Sequence, residues 1–328
     1  MILFLITLIF RVIIKLRQVD MSKYYYHKQK CSDKFGVSLV RFGFKFKAAR
    51  ERYNFKFRYI FTNTLSDNYK YSKDIDFQTI SVGDASVETI NYKNQEIKYA
   101  LIHLHGGAYV SGYNDTYRKV AKKYLGSNHN LKVYSLDYSL APIHPFPKAL
   151  NETIDLYRYL LEIGFSSQNV IIAGDSAGGG LSLALGLALK DQKIDLPKAM
   201  VVMSPWTDLA ETGRSYRENK DKDPFFGKGT LPLDKVAYAG DNSLKHPYIS
   251  PKYGNFTNFS NLLMIVGSDE LILSDTLDIG LELPNAIIHS FEGMFHVFPL
   301  GFNKMASSRT AWKIIYKYIN QQLGVIYE

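Results

Sequence analysis

The chain has almost nothing with which to build covalent staples. Cys31 is its single cysteine in 328 residues, so an intrachain disulfide is excluded, and so is a zinc site made of cysteines. A lone thiol fits a reducing compartment, and a cytoplasmic protein is the expectation. Long apolar runs are scarce as well. The run Met1 to Phe10 falls short of the roughly 20 residues that a bilayer-spanning helix needs. It begins apolar and gives way to Arg11, Lys15 and Arg17, the reverse of a secretory signal, which begins basic and ends at a small-residue cleavage site. Residues 1–17 therefore read as a short membrane-surface anchor with cationic flanks. A core-packing helix, or a start at Met21, are the other readings. Internal repeats, low-complexity tracts, zinc-knuckle spacing and dense basic runs are also lacking. The net charge of +9 is local: residues 1–60 carry 14 Lys/Arg against Asp20, Asp33 and Glu51, and the rest of the chain is slightly acidic. Nucleic acid is not an expected partner.

What is present changes character along the chain. Residues 21–75 are rich in Tyr, Phe, Lys and Arg, with few aliphatic residues and no clean period. From residue 77 short β-rich runs alternate with helical stretches. Strands are expected at 77–82, 87–92, 99–104, 131–136, 169–173, 200–203, 262–266 and 286–290, and helices at 148–163, 177–190 and 303–322. Such alternation builds βαβ units and a mostly parallel sheet, with functional residues at the carboxyl ends of the strands. Residues 205–250 interrupt the rhythm with a polar, Gly- and Lys-rich stretch. Together with 1–75 they are the candidate cap, leaving 76–328 as the catalytic domain.

The sharpest motif is Gly174-Asp175-Ser176-Ala177-Gly178-Gly179-Gly180, set between an apolar strand and a helix. In that context G-x-S-x-G marks a nucleophile on a tight strand-to-helix turn. A serine hydroxyl needs a base, and His296 follows the last expected strand, in the chain order Ser…Asp/Glu…His. His289 falls inside a strand pattern and reads as a packing residue. The orienting acid belongs after strand 262–266, where Asp269, Glu270 and Asp275 compete; residue chemistry alone does not choose among them. After strand 99–104 comes His105-Gly106-Gly107-Ala108-Tyr109, whose glycine amides, with Ala177 N–H, form a candidate oxyanion hole. His103 and His105 lack further metal ligands nearby, and neither a metal nor a cofactor is expected.

At these residues the sequence resembles the hormone-sensitive-lipase-like branch of the α/β-hydrolases, the bacterial esterase and arylacetamide deacetylase group. The resemblance spans roughly residues 97–300. It also rests on Asp137-Tyr138-Ser139-Leu140-Ala141-Pro142, Pro145-Phe146-Pro147, Ser204-Pro205-Trp206-Thr207-Asp208, Ile249-Ser250-Pro251 and Phe295-His296-Val297-Phe298. It implies an α/β-hydrolase fold, a mostly parallel central sheet flanked by helices. The cap would come from the N-terminal segment and the insertion at about 205–250. It implies oxyanion amides from Gly106, Gly107 and Ala177, with His105 as a loop-positioning residue. Ala108 replaces the third glycine common in the branch. The acid loop departs from the common Asp-Pro-Leu form and is similar to a subgroup with Gly-x-x-Glu-x-x-x-x-Asp, which points to Glu270, with Asp269 as the alternative. The segment between that acid and His296 is short, so a truncated helix is expected there.

The implied activity is a serine carboxylesterase acting on small-molecule acyl esters of short to medium chain length through Ser176, His296 and Glu270. An amide or formamide hydrolase on the same machinery is the alternative reading, and a non-catalytic hydrolase-derived binding protein is a third.

Overall fold

A computed structural model describes residues 21–51, 69–226, 232–300 and 305–325. The expected anchor at 1–17 lies outside the described residues. Nine strands form one sheet: β1 (Tyr24–His27), β2 (Ile75–Val82), β3 (Ala85–Tyr92), β4 (Tyr99–Leu104), β5 (Leu131–Asp137), β6 (Val170–Asp175), β7 (Ala199–Met203), β8 (Asn261–Gly267) and β9 (Ala286–Phe291). Their spatial order is β1-β9-β8-β7-β6-β4-β5-β3-β2. All neighbours run parallel except the β2–β3 and β3–β5 pairs. Eight helices lie among the described residues: α1 (Cys31–Glu51), α2 (Asp115–Leu125), α3 (Lys148–Glu162), α4 (Ser176–Asp191), α5 (Ser215–Glu218), α6 (Pro232–Ala239), α7 (Leu273–Gly280) and α8 (Ala306–Gln322).

The apolar runs read from the sequence are strands covered on both faces, which is why they alternate so little. In β4, Leu101 faces one core layer and Ile102 and Leu104 the other. On one side the sheet packs against α3 and α4, as in the cluster of Ile102, Ile172, Met200, Leu156 and Leu185. On the other it packs against α2 and α8, through Leu101, Ile171, Val201, Val120 and Ile315. Each such aliphatic side chain contributes about 1.5–3 kcal/mol of burial. Helix α4 is buried along nearly its whole length, so the turn that starts it is held rigidly.

Helices α1, α2, α5 and α6 have no counterpart in the expected elements. Neither does β1, a four-residue strand paired parallel to β9, with Tyr24 opposite Ile288 and His27 opposite Phe291. Four residues are too few to show a period, yet they place part of segment 1–75 in the core sheet, on the near side of the boundary drawn at residue 76. Helix α1 then lies along α8: a Cβ on Gly36 would stand 2.9 Å from Met305 Cγ, and buried Asp33 accepts from Ser307 Oγ at 2.8 Å. Helix α7 has eight residues, the short helix expected after the acid loop. No helix among the described residues is long and apolar enough to cross a membrane.

Candidate active site

Ser176 sits where β6 ends and α4 begins. Its φ is +52°, a left-handed conformation forced by a chain that passes from strand to helix within one residue. The flanking glycines are there for close approach. A Cβ on Gly174 would fall on the Gly178 carbonyl, and one on Gly178 would fall on the carbonyls of Leu104 and His105. The Ser176 carbonyl accepts from Trp206 N–H at 2.8 Å, which fixes the turn to the loop after β7.

His296 lies between β9 and α8. Its Nε2 is 2.9 Å from Ser176 Oγ, and its Nδ1 is 3.2 Å from Glu270 Oε2. Both His296 and Glu270 are fully buried. The other two carboxylates of the acid loop turn elsewhere. Asp269 reaches Arg41 on α1 at 3.4 Å. Asp275 accepts the amides of Thr207 and Asp208, each at 2.8 Å, and so ties α7 to the chain after β7. The second Glu270 oxygen accepts from Ser204 Oγ at 2.7 Å and from Gly267 N–H.

Burial pulls the His296 imidazole down to about 4, with the negative charge of Asp223 opposing. The ring is therefore neutral at neutral pH. Its Nε2 can accept a proton from Ser176 while Nδ1–H donates to Glu270. Burial raises the Glu270 carboxyl above its ordinary range, whereas the Ser204 hydroxyl and the Gly267 amide favour its charged form.

The Gly106 N–H, expected in the oxyanion hole, lies beside the buried Asp175 carboxyl, which accepts from the Tyr117 hydroxyl at 3.4 Å. A Cβ on Gly106 would also stand 3.0 Å from Ser176 Cβ, so this glycine is the contact between loop and nucleophile turn. The next three residues, Gly107, Ala108 and Tyr109, have φ of +120°, +56° and +62°. Ala177 opens the first turn of α4, where helix amides lack intrahelical acceptors. His105 holds the loop: its Nδ1 donates to Gly106 O at 2.7 Å and its ring stacks on Tyr138 at 4.1 Å. Burial lowers it to about 4. His103 is likewise internal, with Nδ1 3.1 Å from Ser135 Oγ. Among the described residues no group of three or more His, Cys, Asp or Glu is arranged to hold a metal ion.

The insertion at 205–250 supplies contacts that polar loop composition gave no sign of. Asn219 donates to Ser268 O at 3.0 Å and Glu270 O at 2.8 Å. Asp223 accepts Leu271 N–H at 3.0 Å. The rings of Phe225 and Phe226 lie 5.2 and 4.6 Å from that of His296. Tyr238 stacks on Tyr109 at 3.6 Å. The insertion thus grips the acid loop at one end and the loop after β4 at the other.

Residues 101–300 match a family model described as the alpha/beta hydrolase fold. Among curated proteins, the chain is similar to a Mycobacterium tuberculosis protein assigned as an acetyl-hydrolase, LipR. The two are 32% identical over 258 residues, which cover 77% of this chain and 83% of the relative. An esterase of Acinetobacter venetianus is 36% identical over 54% of this chain and 58% of its own length. Among solved structures, an esterase from the bacterial hormone-sensitive lipase family superposes with a TM-score of 0.78 at 28% identity. That match covers 88% of this chain and 98% of the other. The chain belongs to the α/β-hydrolase fold family, within its hormone-sensitive-lipase-like branch.

Proposed function

We propose that the protein is a serine carboxylesterase for acyl esters of short to medium chain length, with Ser176 as nucleophile, His296 as general base and Glu270 as the orienting acid. One observation carries the reading: the unbroken line from Ser176 Oγ through both imidazole nitrogens to Glu270, with steps of 2.9 and 3.2 Å. Kinship with proteins named esterase and acetyl-hydrolase supports the reaction class.

In the proposed mechanism Ser176 Oγ attacks the ester carbonyl carbon as His296 Nε2 takes its proton. Glu270 stabilises the imidazolium and holds its tautomer. The amides of Gly107, Ala108 and Ala177 receive the oxyanion; the left-handed turn at 107–109 and the free first turn of α4 are the support for this set. His296 then returns the proton to the departing alcohol, leaving an acyl ester on Ser176. Water repeats the two steps, its proton passing through His296 to Ser176, and the carboxylic acid leaves. The apolar rings of Phe225 and Phe226 beside His296 favour an alkyl acyl group over a charged one.

Hydrolysis of p-nitrophenyl esters carrying two to sixteen acyl carbons tests the proposal. Activity should peak in the shorter half of the series and fall about 10⁴-fold or more in Ser176→Ala. Turnover of amides or formamides with no ester turnover would move the protein to the amidase reading. Folded protein inactive on both panels would favour a binding role.

A further inference from the structure

Ser204 follows the last residue of β7, outside the line of three groups just described, and its side chain is fully buried. Its φ is +48°, a conformation that costs a residue with a Cβ and suits glycine. The backbone there is pinned by the Ser204 N–H donating to Ile265 O at 2.8 Å. The hydroxyl then makes two bonds of opposite sense. It donates to Glu270 Oε1 at 2.7 Å and accepts from Val297 N–H at 3.1 Å. Val297 is the residue after His296 and has the same φ of +48°. One hydroxyl, with one proton to give and lone pairs to receive, therefore joins the acid's side chain to the backbone that carries the base.

We propose that Ser204 is a positioning residue for the acid–base pair, its hydroxyl setting the Glu270 carboxylate and the His296 loop in mutual register. This inference rests on the reading of Glu270 as the orienting acid. With Oε1 held by Ser204 and the Gly267 amide, Oε2 is left to face His296 Nδ1. Removing the hydroxyl leaves the Val297 N–H unpaired in the interior and frees the carboxyl to rotate. Ser204 touches no substrate in this scheme, so its loss falls on turnover and not on binding.

Steady-state kinetics on p-nitrophenyl butyrate test this with Ser204→Ala, Ser204→Gly, Glu270→Ala and the double variant Ser204→Ala/Glu270→Ala. Both Ser204 variants should lose about 10-fold or more in kcat with KM within about 2-fold of the parent. Ser204→Gly relieves the backbone conformation, so it supplies a folded variant lacking the hydroxyl together with its Cβ; thermal unfolding verifies this. In the Glu270→Ala background, Ser204→Ala should cost much less than in the parent, because the register it sets has lost its carboxylate and only the Val297 N–H contact remains. Unchanged kcat in Ser204→Gly, or an equal loss with and without Glu270, overturns the proposal. Full activity in Glu270→Ala overturns the assignment of the acid, and this inference with it.

Discussion

The nucleophile turn and the acid loop stand a few ångströms apart, yet they are built by different means. At the turn, backbone meets backbone: Gly174 against Gly178, Gly178 against Leu104, Gly106 against Asp175 and Ser176. These constraints are steric ones between short segments, and each leaves a glycine in the sequence. The acid loop opens on one such glycine, Gly267, whose Cβ would fall on the Met294 carbonyl. Beyond it, the loop is held by side chains from far along the chain: Ser204, Asn219, Asp223 and Arg41. Local sterics are written in local sequence, whereas long-range hydrogen bonds from a polar insertion are not.

This contrast can be broken most severely at Gly178. Gly178→Ala should cost roughly 3–5 kcal/mol of stability, since the new methyl meets rigid backbone with no rotamer to relieve it. Gly164→Ala is the control. Gly164 has a φ of +103° but no atom within 4 Å of the added Cβ, so it should lose only about 1 kcal/mol. Urea midpoints of the two variants decide it, and equal losses would remove the steric argument.

A gentler probe is the pH profile. Burial lowers His296 to about 4, and only the neutral ring can take the Ser176 proton. As pH falls, activity is retained until the ring protonates, so a lowered value moves the loss to more acidic solution. The acid limb of kcat/KM for p-nitrophenyl butyrate should therefore lie well below the ordinary histidine value of about 6.5. A limb at or above that value would mean that the ring is solvated in the working enzyme.

The same division governs what the sequence disclosed. The alternation of apolar runs and helices carried the parallel sheet, because strands covered on both faces must be apolar throughout. Strand β4 begins and ends at Tyr99 and Leu104, as expected. Ser176 and His296 were legible from their places after β6 and β9. Strand β1 was not, because Tyr24–His27 is too short for a pattern and gains its structure from β9. A glycine needed for close packing and a glycine needed for an exposed amide look alike, so the sequence does not say which of the Gly106 and Gly107 amides is free, and nothing in an alanine announces the φ of +56° at Ala108. Ser204 stood within the motif Ser204-Pro205-Trp206, but a motif shows that a residue is present and not whom its hydroxyl meets.

The identity of the acid is where the account is most exposed, and neighbouring residues provide the comparison. Glu270→Gln and Asp269→Asn should be measured side by side for kcat/KM on p-nitrophenyl butyrate. Glu270→Gln removes the charge facing His296 Nδ1 at 3.2 Å, and should fall about 10²–10⁴-fold. Asp269→Asn removes the charge that faces Arg41 at 3.4 Å on a half-exposed side chain, and should stay within about 3-fold of the parent. The reverse order, a large loss at Asp269 and a small one at Glu270, would contradict the account.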